Sequence, residues 1–471
     1  MKKTFYLILL FVVPIFMNGQ ATKLKLLGHW RDPELKGSAQ YDNTFNEAYG
    51  FTVNNREYGI IGSTFGFHII DITDPTNPFE RYRIKGGESG TNVIHRDFRY
   101  YNCHIYAVCD EGTNSTLQIV DVSNLPDTAI VVYNKNDLFF RSHNIFIDEA
   151  KARLYTSDEK NASGFYPLGL YDIKNPSDPK FLGHYNVFGD ITANDVHDCY
   201  VRNDTAYLNC GYNGFAIMNF ADYLNPKPIF TLKPNEYLYS GYNHSGWLTP
   251  NGKTYVMADE NHGSPLKVID LSDFNNIKVV SYLSICGDST KAIPHNPLIS
   301  CNYAYVAYYY DGLQVYDISN PKDPKLKYYY PTSTEPNLLN FKGAWGTFPF
   351  MPSGNIIVAD MQNGMFIVEG PEKVCFPNNI CISTDSKNIE AASTIISPNP
   401  FINSLSIQSD RIIQDFIIAN LQGEIVYRVN NIHSEKVDLQ LNDLEAGLYI
   451  LKGRCEDRSD FYHKLIKLNV R

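Results

Sequence analysis

The chain has 471 residues, 44% hydrophobic and 20% charged, the balance of a soluble globular protein but more than one ordinary core accommodates. A net charge of -10 without a basic run speaks against nucleic acid or an anionic membrane surface as partner and leaves cations, glycans and other proteins. Aromatic residues reach 14%, with 34 tyrosines, and such side chains favour pleated, half-buried surfaces, so an all-β fold is expected.

The first predicted element is an export signal over residues 1–19. Lys2 and Lys3 supply the positive start, Phe5 to Met17 the apolar stretch, and Asn18-Gly19-Gln20-Ala21 the small and polar residues around a cut. The stretch is too short to span a bilayer comfortably, and no other run is long enough, so the mature chain is expected outside the cytoplasm with no transmembrane span. No cysteine near the cut offers a lipid anchor. Export permits disulfides among the nine cysteines. Cys375 with Cys381, and Cys199 with Cys210, are candidate pairs; the competing reading is buried free thiols acting as small apolar residues.

Next comes a phrase that recurs: an apolar strand closed by an acidic residue, then a turn rich in Pro or Asn. Gly66-Phe67-His68-Ile69-Ile70-Asp71 and Gly312-Leu313-Gln314-Val315-Tyr316-Asp317 are clear copies, and Gly364-Met365-Phe366-Ile367-Val368-Glu369 is a worn one. The closing positions Asp71, Asp121, Asp172, Asn219, Asp270, Asp317 and Glu369 are spaced by 50, 51, 47, 51, 47 and 52 residues. Seven short, β-branched and aromatic copies at this period predict a seven-bladed β-propeller over residues 20–370. The last blade lacks a strand after Glu369, whereas Leu24 to Trp30 resembles a final strand with no blade before it. The N-terminal segment is therefore expected to complete the seventh blade and close the ring.

Five histidines share one phase: His95, His143, His197, His244 and His295, spaced by 48, 54, 47 and 51 residues. Each opens the innermost strand of its blade and is followed by a polar residue: Arg96, Asn144, Asp198, Ser245 and Asn296. One step forward lies Trp345, and one step back Tyr49. Equivalent positions on innermost strands converge on the axis, so the imidazoles are expected at one mouth of the central channel. Asp110-Glu111, Asp158-Glu159 and Asp259-Glu260 end the second strands and share that face. Imidazole and carboxylate together are ligands for a divalent metal, zinc or calcium, and the groups of acid–base chemistry. The candidate metal set is His143, His197, His244 and His295 with Glu111, Glu159 and Glu260; Asp198, Asn144 and Asn296 join the candidate ligand-binding mouth. A second reading stands beside this one: a structural ring, with histidines bonding their neighbours and aspartates capping turns. Trp247 and Trp345 are open to two readings as well, a glycan platform or packing between blades. No Gly-rich phosphate loop, nucleophile elbow or His-Glu-x-x-His pair is found.

After Glu369 the pattern changes. Residues 371–392 read as a polar linker, and 393–471 as a second domain, a small β-sandwich.

Ser397-Pro398-Asn399-Pro400-Phe401, Leu421-Gln422-Gly423, Leu444-Glu445-Ala446-Gly447-Leu448-Tyr449 and Lys464-Leu465-Ile466-Lys467 resemble the C-terminal sorting domain of the type IX secretion system of Bacteroidota. That resemblance implies passage across the outer membrane by the type IX machinery, often with removal of the tail, and surface attachment or release. Residues 22 to 369 resemble the LVIVD-repeat propellers of the "choice-of-anchor B" type. The matching pieces are Gly312 to Asp317, Ser142-His143-Asn144, Ile293-Pro294-His295-Asn296, Asn243-His244-Ser245-Gly246-Trp247 and Trp345-Gly346-Thr347-Phe348-Pro349-Phe350. The resemblance implies varied surface anchors and carries no settled activity. Similar proteins have an aromatic residue where His95 stands, which leaves the other four histidines as the candidate set. The expected function is an extracellular or cell-surface binding module for a protein or glycan; the alternative is a hydrolase or lyase of extracellular polymers that uses a metal or a His–carboxylate pair.

Overall fold

The computed structural model describes residues 21–284, 291, 293–371, 380–381, 393–420, 425–430, 432–456 and 460–468. The expected export signal, Cys375, Leu421-Gln422-Gly423 and most of the expected linker lie outside them. The described chain is all-β, and its one helical element is the 3-10 turn Pro234–Glu236.

Up to Val368 the described strands form seven sheets, each with an antiparallel run of four from a first, inner strand to an outer one, and a two-stranded ribbon, Val187–Phe188 with Ile191–Thr192; Thr22–Lys23 and Ile380–Cys381 each add a parallel fifth strand to one sheet. The first strands are Phe45–Val53, Arg96–Tyr101, Asn144–Asp148, Asp198–Arg202, Asn243–Leu248, Pro297–Ser300 and Ala344–Phe348. Each lies against the first strand of the next sheet, and Ala344–Phe348 lies against Phe45–Val53. The last sheet takes its outer strand from the N-terminus: Leu26–Trp30 runs antiparallel to Gly364–Val368, with Trp30 opposite Met365.

The recurring acidic position has a local cause. At the end of the third strand its carboxylate accepts the backbone N–H two residues on: Asp71 from Thr73 at 3.1 Å, Asp121 from Ser123 at 2.8 Å, Asp172 from Lys174 at 2.9 Å, Asp270 from Ser272 at 2.9 Å and Asp317 from Ser319 at 3.0 Å. Asn219 does the same for Ala221 at 2.8 Å, so an amide replaces the acid without loss of geometry. A second such turn follows from Asp74, Asn175, Asp222, Asp273 and Asn320. These side chains turn the chain into the outer strand by satisfying backbone donors that the sheet leaves over. Between the turns the third strands are buried, as in Leu313–Asp317, where the first four residues are inaccessible. After Glu369 this turn cannot form, because the residue two on is Pro371, which has no N–H to donate; the Glu369 backbone N–H bonds Lys25 O of the N-terminal segment at 2.9 Å.

The cysteines depart from expectation. Cys381 is bonded to Cys103, not to Cys375, across a sequence separation of 278. Ile380–Cys381 runs parallel to the end of Phe45–Val53, with Cys381 beside Val53, and this lays the residue beside the second sheet. Cys199 and Cys210 are free and buried, because strand register sets Cys199 opposite Leu208. Cys301 is also disulfide-bonded.

In the tail, Ser404–Asn420 is one long strand, bent by register shifts near Ile413. It pairs along its length with Thr394–Ser397, Ile425–Val429, Ser434–Gln440 and Gly447–Cys455, giving one hydrogen-bonded sheet of six strands. Phe401, Leu405, Ile407, Phe416, Ile418, Leu451 and Leu465 form its core.

The Cys103–Cys381 bond ties a segment beyond the seventh sheet back to the second. Replacing both cysteines with serine is expected to lower unfolding free energy by about 2–4 kcal/mol, read as an earlier midpoint in urea. An unchanged midpoint would remove the bond from the stability account.

Candidate functional site

His95, His143 and His197 immediately precede the first strands of their sheets, His244 and Trp345 are second in theirs, and His295 precedes its strand by two residues. Their rings form an unbroken circuit. Centroids are 4.8 Å apart for His95–His143, 4.1 Å for His143–His197, 4.0 Å for His197–His244 and 4.4 Å for His244–His295. Trp345 closes it, 4.9 Å from His295 and 5.2 Å from His95. His95, set aside on sequence grounds, is thus part of the ring; its shared phase was the signal. Tyr49 is not. The inner strand of the first sheet begins at Phe45 and shifts register before Ala48, which carries Tyr49 down the strand to pack at a tilt against Phe348, centroids 4.6 Å apart.

The carboxylates divide the ring. His95 Nδ1 lies 2.6 Å from Glu111, which also accepts the His95 backbone N–H, and His143 Nδ1 lies 2.9 Å from Asp110. On the other side, Glu260 accepts the Tyr309 hydroxyl at 2.7 Å and lies 3.6 Å from His244 Nε2 and 3.8 Å from His295 Nε2. Glu159 does not reach the ring. Its neighbour Asp158 adopts φ 48°, a left-handed kink that breaks strand alternation. Asp158 thereby accepts the Val196 N–H at 3.1 Å, while Glu159 is buried in its own sheet against Thr156, Tyr171 and His184.

Two ring members also join neighbouring sheets. His197 Nδ1 donates to His244 O at 3.2 Å, and His295 Nδ1 to Trp345 O at 2.5 Å. A carbonyl accepts only from N–H, so each keeps its lone pair on Nε2.

Asp198, Asn144 and Asn296 sit in a layer below the mouth, because successive strand residues point to opposite sides. With Glu47, Asp97 and Arg99 they line a cavity of about 30 Å³. Asn144 donates to His197 O at 3.0 Å and Asn296 to Glu47 at 2.6 Å, stitching sheets together. Sequence reasoning missed Glu47, Asp97 and Arg99: they fall on different offsets from the histidine phase.

Electrostatics sharpen the division. Burial works against charge on His143, yet the hydrogen bond and charge of Asp110, helped by Asp158 and Glu111, raise it to about 9. Burial and the neighbouring imidazoles push His197 well below its usual value; His244 falls likewise, against a pull from the His295 main chain. Burial takes His295 to about 3, opposed by its bond to Trp345 O. Burial raises Glu260 to about 7, opposed by Tyr309, and Asp158 to about 8, opposed by His143. Two groups can bring three metal-ligand atoms within 4.8 Å of one another: His95, Asp110 and His143; and His197, His244 and Glu260.

Residues 396–468 match the model of the secretion system C-terminal sorting domain. Residues 58–85 and 298–332 match the LVIVD repeat. No curated protein matches the chain. Among solved structures, the β-propeller domain of Cps50 (Swd1) from Myceliophteria thermophila is similar with a TM-score of 0.49 at 11% identity, covering 73% of this chain and 98% of that one. The WD40 repeats of RRP9 give 0.48 at 9%, covering 74% and 99%, and a protein from Lactobacillus plantarum gives 0.48 at 10%, covering 84% and 100%. No helix among the described residues is long and apolar enough to cross a membrane. The tail marks the protein for the type IX secretion machinery and for export to the cell surface or beyond. The chain thus combines two segments that match the LVIVD repeat with a tail that matches the secretion system C-terminal sorting domain.

Proposed function

We propose that this protein is an extracellular binding module: a seven-bladed propeller, closed by its N-terminal strand, that holds a divalent metal of the zinc class at His197, His244 and Glu260. His295 stands at the edge of that set. Residues 1–19 are the export signal, 20–370 the propeller, 371–392 the linker, and 393–471 the sorting domain, a small sandwich folded about the bend in Ser404–Asn420. The closed wheel is supported by the pairing of Leu26–Trp30 with Gly364–Val368 and by the contact of the last inner strand with the first.

The observation that carries the metal reading is the division of the ring. His95 and His143 have carboxylate partners of their own, Glu111 and Asp110. His197, His244 and His295 have none in hydrogen-bonding range; burial and mutual repulsion keep them neutral, the form in which imidazole ligates a metal. Glu260 beside them changes charge near neutral pH and supplies the anionic ligand. Nitrogen ligands select zinc over calcium, which takes oxygen. The carbonyl bonds from His197 and His295 orient the rings in the manner of outer-shell contacts at known metal sites.

Metal-stripped protein titrated with zinc is expected to bind one equivalent. His197→Ala and His244→Ala are each expected to weaken binding about 100-fold, and Glu260→Gln about 10-fold. Stoichiometric zinc retained by the H197A/H244A double variant, or none bound by the parent, sinks the reading.

The His143–Asp110 pair gives a pH signature in the metal-free protein. The folded value of about 9 exceeds the ordinary 6.5, so the pair's stabilisation is fully present below pH 6.5 and lost as pH rises through 9. Asp110→Asn is expected to flatten that fall in urea midpoints, and nitrogen-15 spectra should show His143 protonated at neutral pH while His197, His244 and His295 are not. A neutral His143 at pH 7 would contradict the assignment.

A further inference from the structure

The inner strands carry a second, unlike surface at their other end. Tyr200 and Trp247 lie three residues beyond His197 and His244, about 10 Å along the same strands. With Tyr49, Phe146, Phe350 and Arg99 they line a cavity of about 400 Å³, within the size range of small-ligand sites. Trp247 is half-buried and anchors the aromatic wall: its centroid is 4.9 Å from Tyr200, 5.8 Å from Phe146 and 5.8 Å from Phe350, with Phe350 stacked. Asp148, Glu149 and Arg202 also belong to the lining.

We propose that this cavity binds a neutral saccharide ring. The aromatic wall offers apolar faces for sugar C–H groups. A cation finds the position over Phe146 and Tyr49 already taken by Arg99, whose guanidinium lies 5.2 and 5.7 Å from those centroids. An anion meets the carboxyl groups of Asp148 and Glu149, while Arg99 is already paired through Nη1 with Asp97 at 2.9 Å. A wholly apolar molecule would strip water from Arg202 and Glu149 without replacing it. A polyol satisfies both ends of the problem: exposed Glu149 accepts from hydroxyls, and Arg202 donates to them. The site shares strands with the histidine ring but no side chain, so the two stand or fall separately.

The test is calorimetric titration of the full mature protein with neutral gluco-, manno- and xylo-oligosaccharides, beside uronic-acid chains of matching length. One neutral series is expected to bind with one site per chain. Trp247→Ala should weaken it at least about tenfold. The rim variant E149Q/R202A, which spares the aromatic wall, should do the same, while H197A/H244A leaves affinity unchanged. The proposal is overturned if no neutral series binds below about 10 mM, if only uronic chains bind, or if binding survives both the Trp247 and the rim variants.

Discussion

Crowding of like groups on one axis governs the chemistry of this protein. The inner strands set one residue of each sheet at the same height, and five of those residues are imidazoles in ring contact with their neighbours. Imidazoles 4 to 5 Å apart cannot all be protonated, because each charge raises the cost of the next in a water-poor setting. The ring resolves this unevenly. Asp110 lets His143 carry the charge, while burial above all, with a smaller push from His143, holds down His197, His244 and His295. A neutral arc beside a carboxylate is the electrostatic precondition for a metal, and burial on the axis supplies it. The structural and ligand-binding readings of the ring are therefore compatible: the Nδ1 atoms of His197 and His295 join sheets, and the Nε2 atoms remain for chemistry.

What could be read from the chain follows from which features are local. The acidic ruler was legible because an Asx turn needs one side chain and a backbone N–H two residues away, so the same residue type recurs at every copy. The histidine phase was legible for a related reason: each first strand starts at one height. Pairings set by three-dimensional register were not. Glu159 was expected at the mouth with its homologues in phase, but a single positive φ at Asp158 reverses which carboxyl faces the ring. Asp198, Asn144 and Asn296 were placed at the mouth because they adjoin the histidines in sequence, and alternation along a strand takes them below it. Cys381 found a partner 278 residues away that no spacing rule reaches.

The layer between the two ends explains how one axis can serve two chemistries. Glu47, Asp97 and Asp198 are buried there with Arg99, and burial raises all three carboxyl groups, Glu47 to about 8 and Asp198 to about 7. Arg99 opposes that rise in each, while its own Nη1 is held by Asp97 and by Phe98 O. A guanidinium fixed in this way neutralises the layer without needing a ligand. The remaining cavity, about 30 Å³, has room for a single water. It lies between the histidine ring and the aromatic end and shares Tyr49, Arg99 and Trp247 with the latter. Arg99 faces both: it closes the polar layer above and stacks on Phe146 and Tyr49 below. Removing it would leave the carboxyl cluster without its cation and the aromatic wall without its cap. An axis with one fixed cation at its centre thus keeps the imidazole end and the aromatic end chemically independent, although shared strands such as Asp198–Arg202 and Asn243–Leu248 hold them about 10 Å apart.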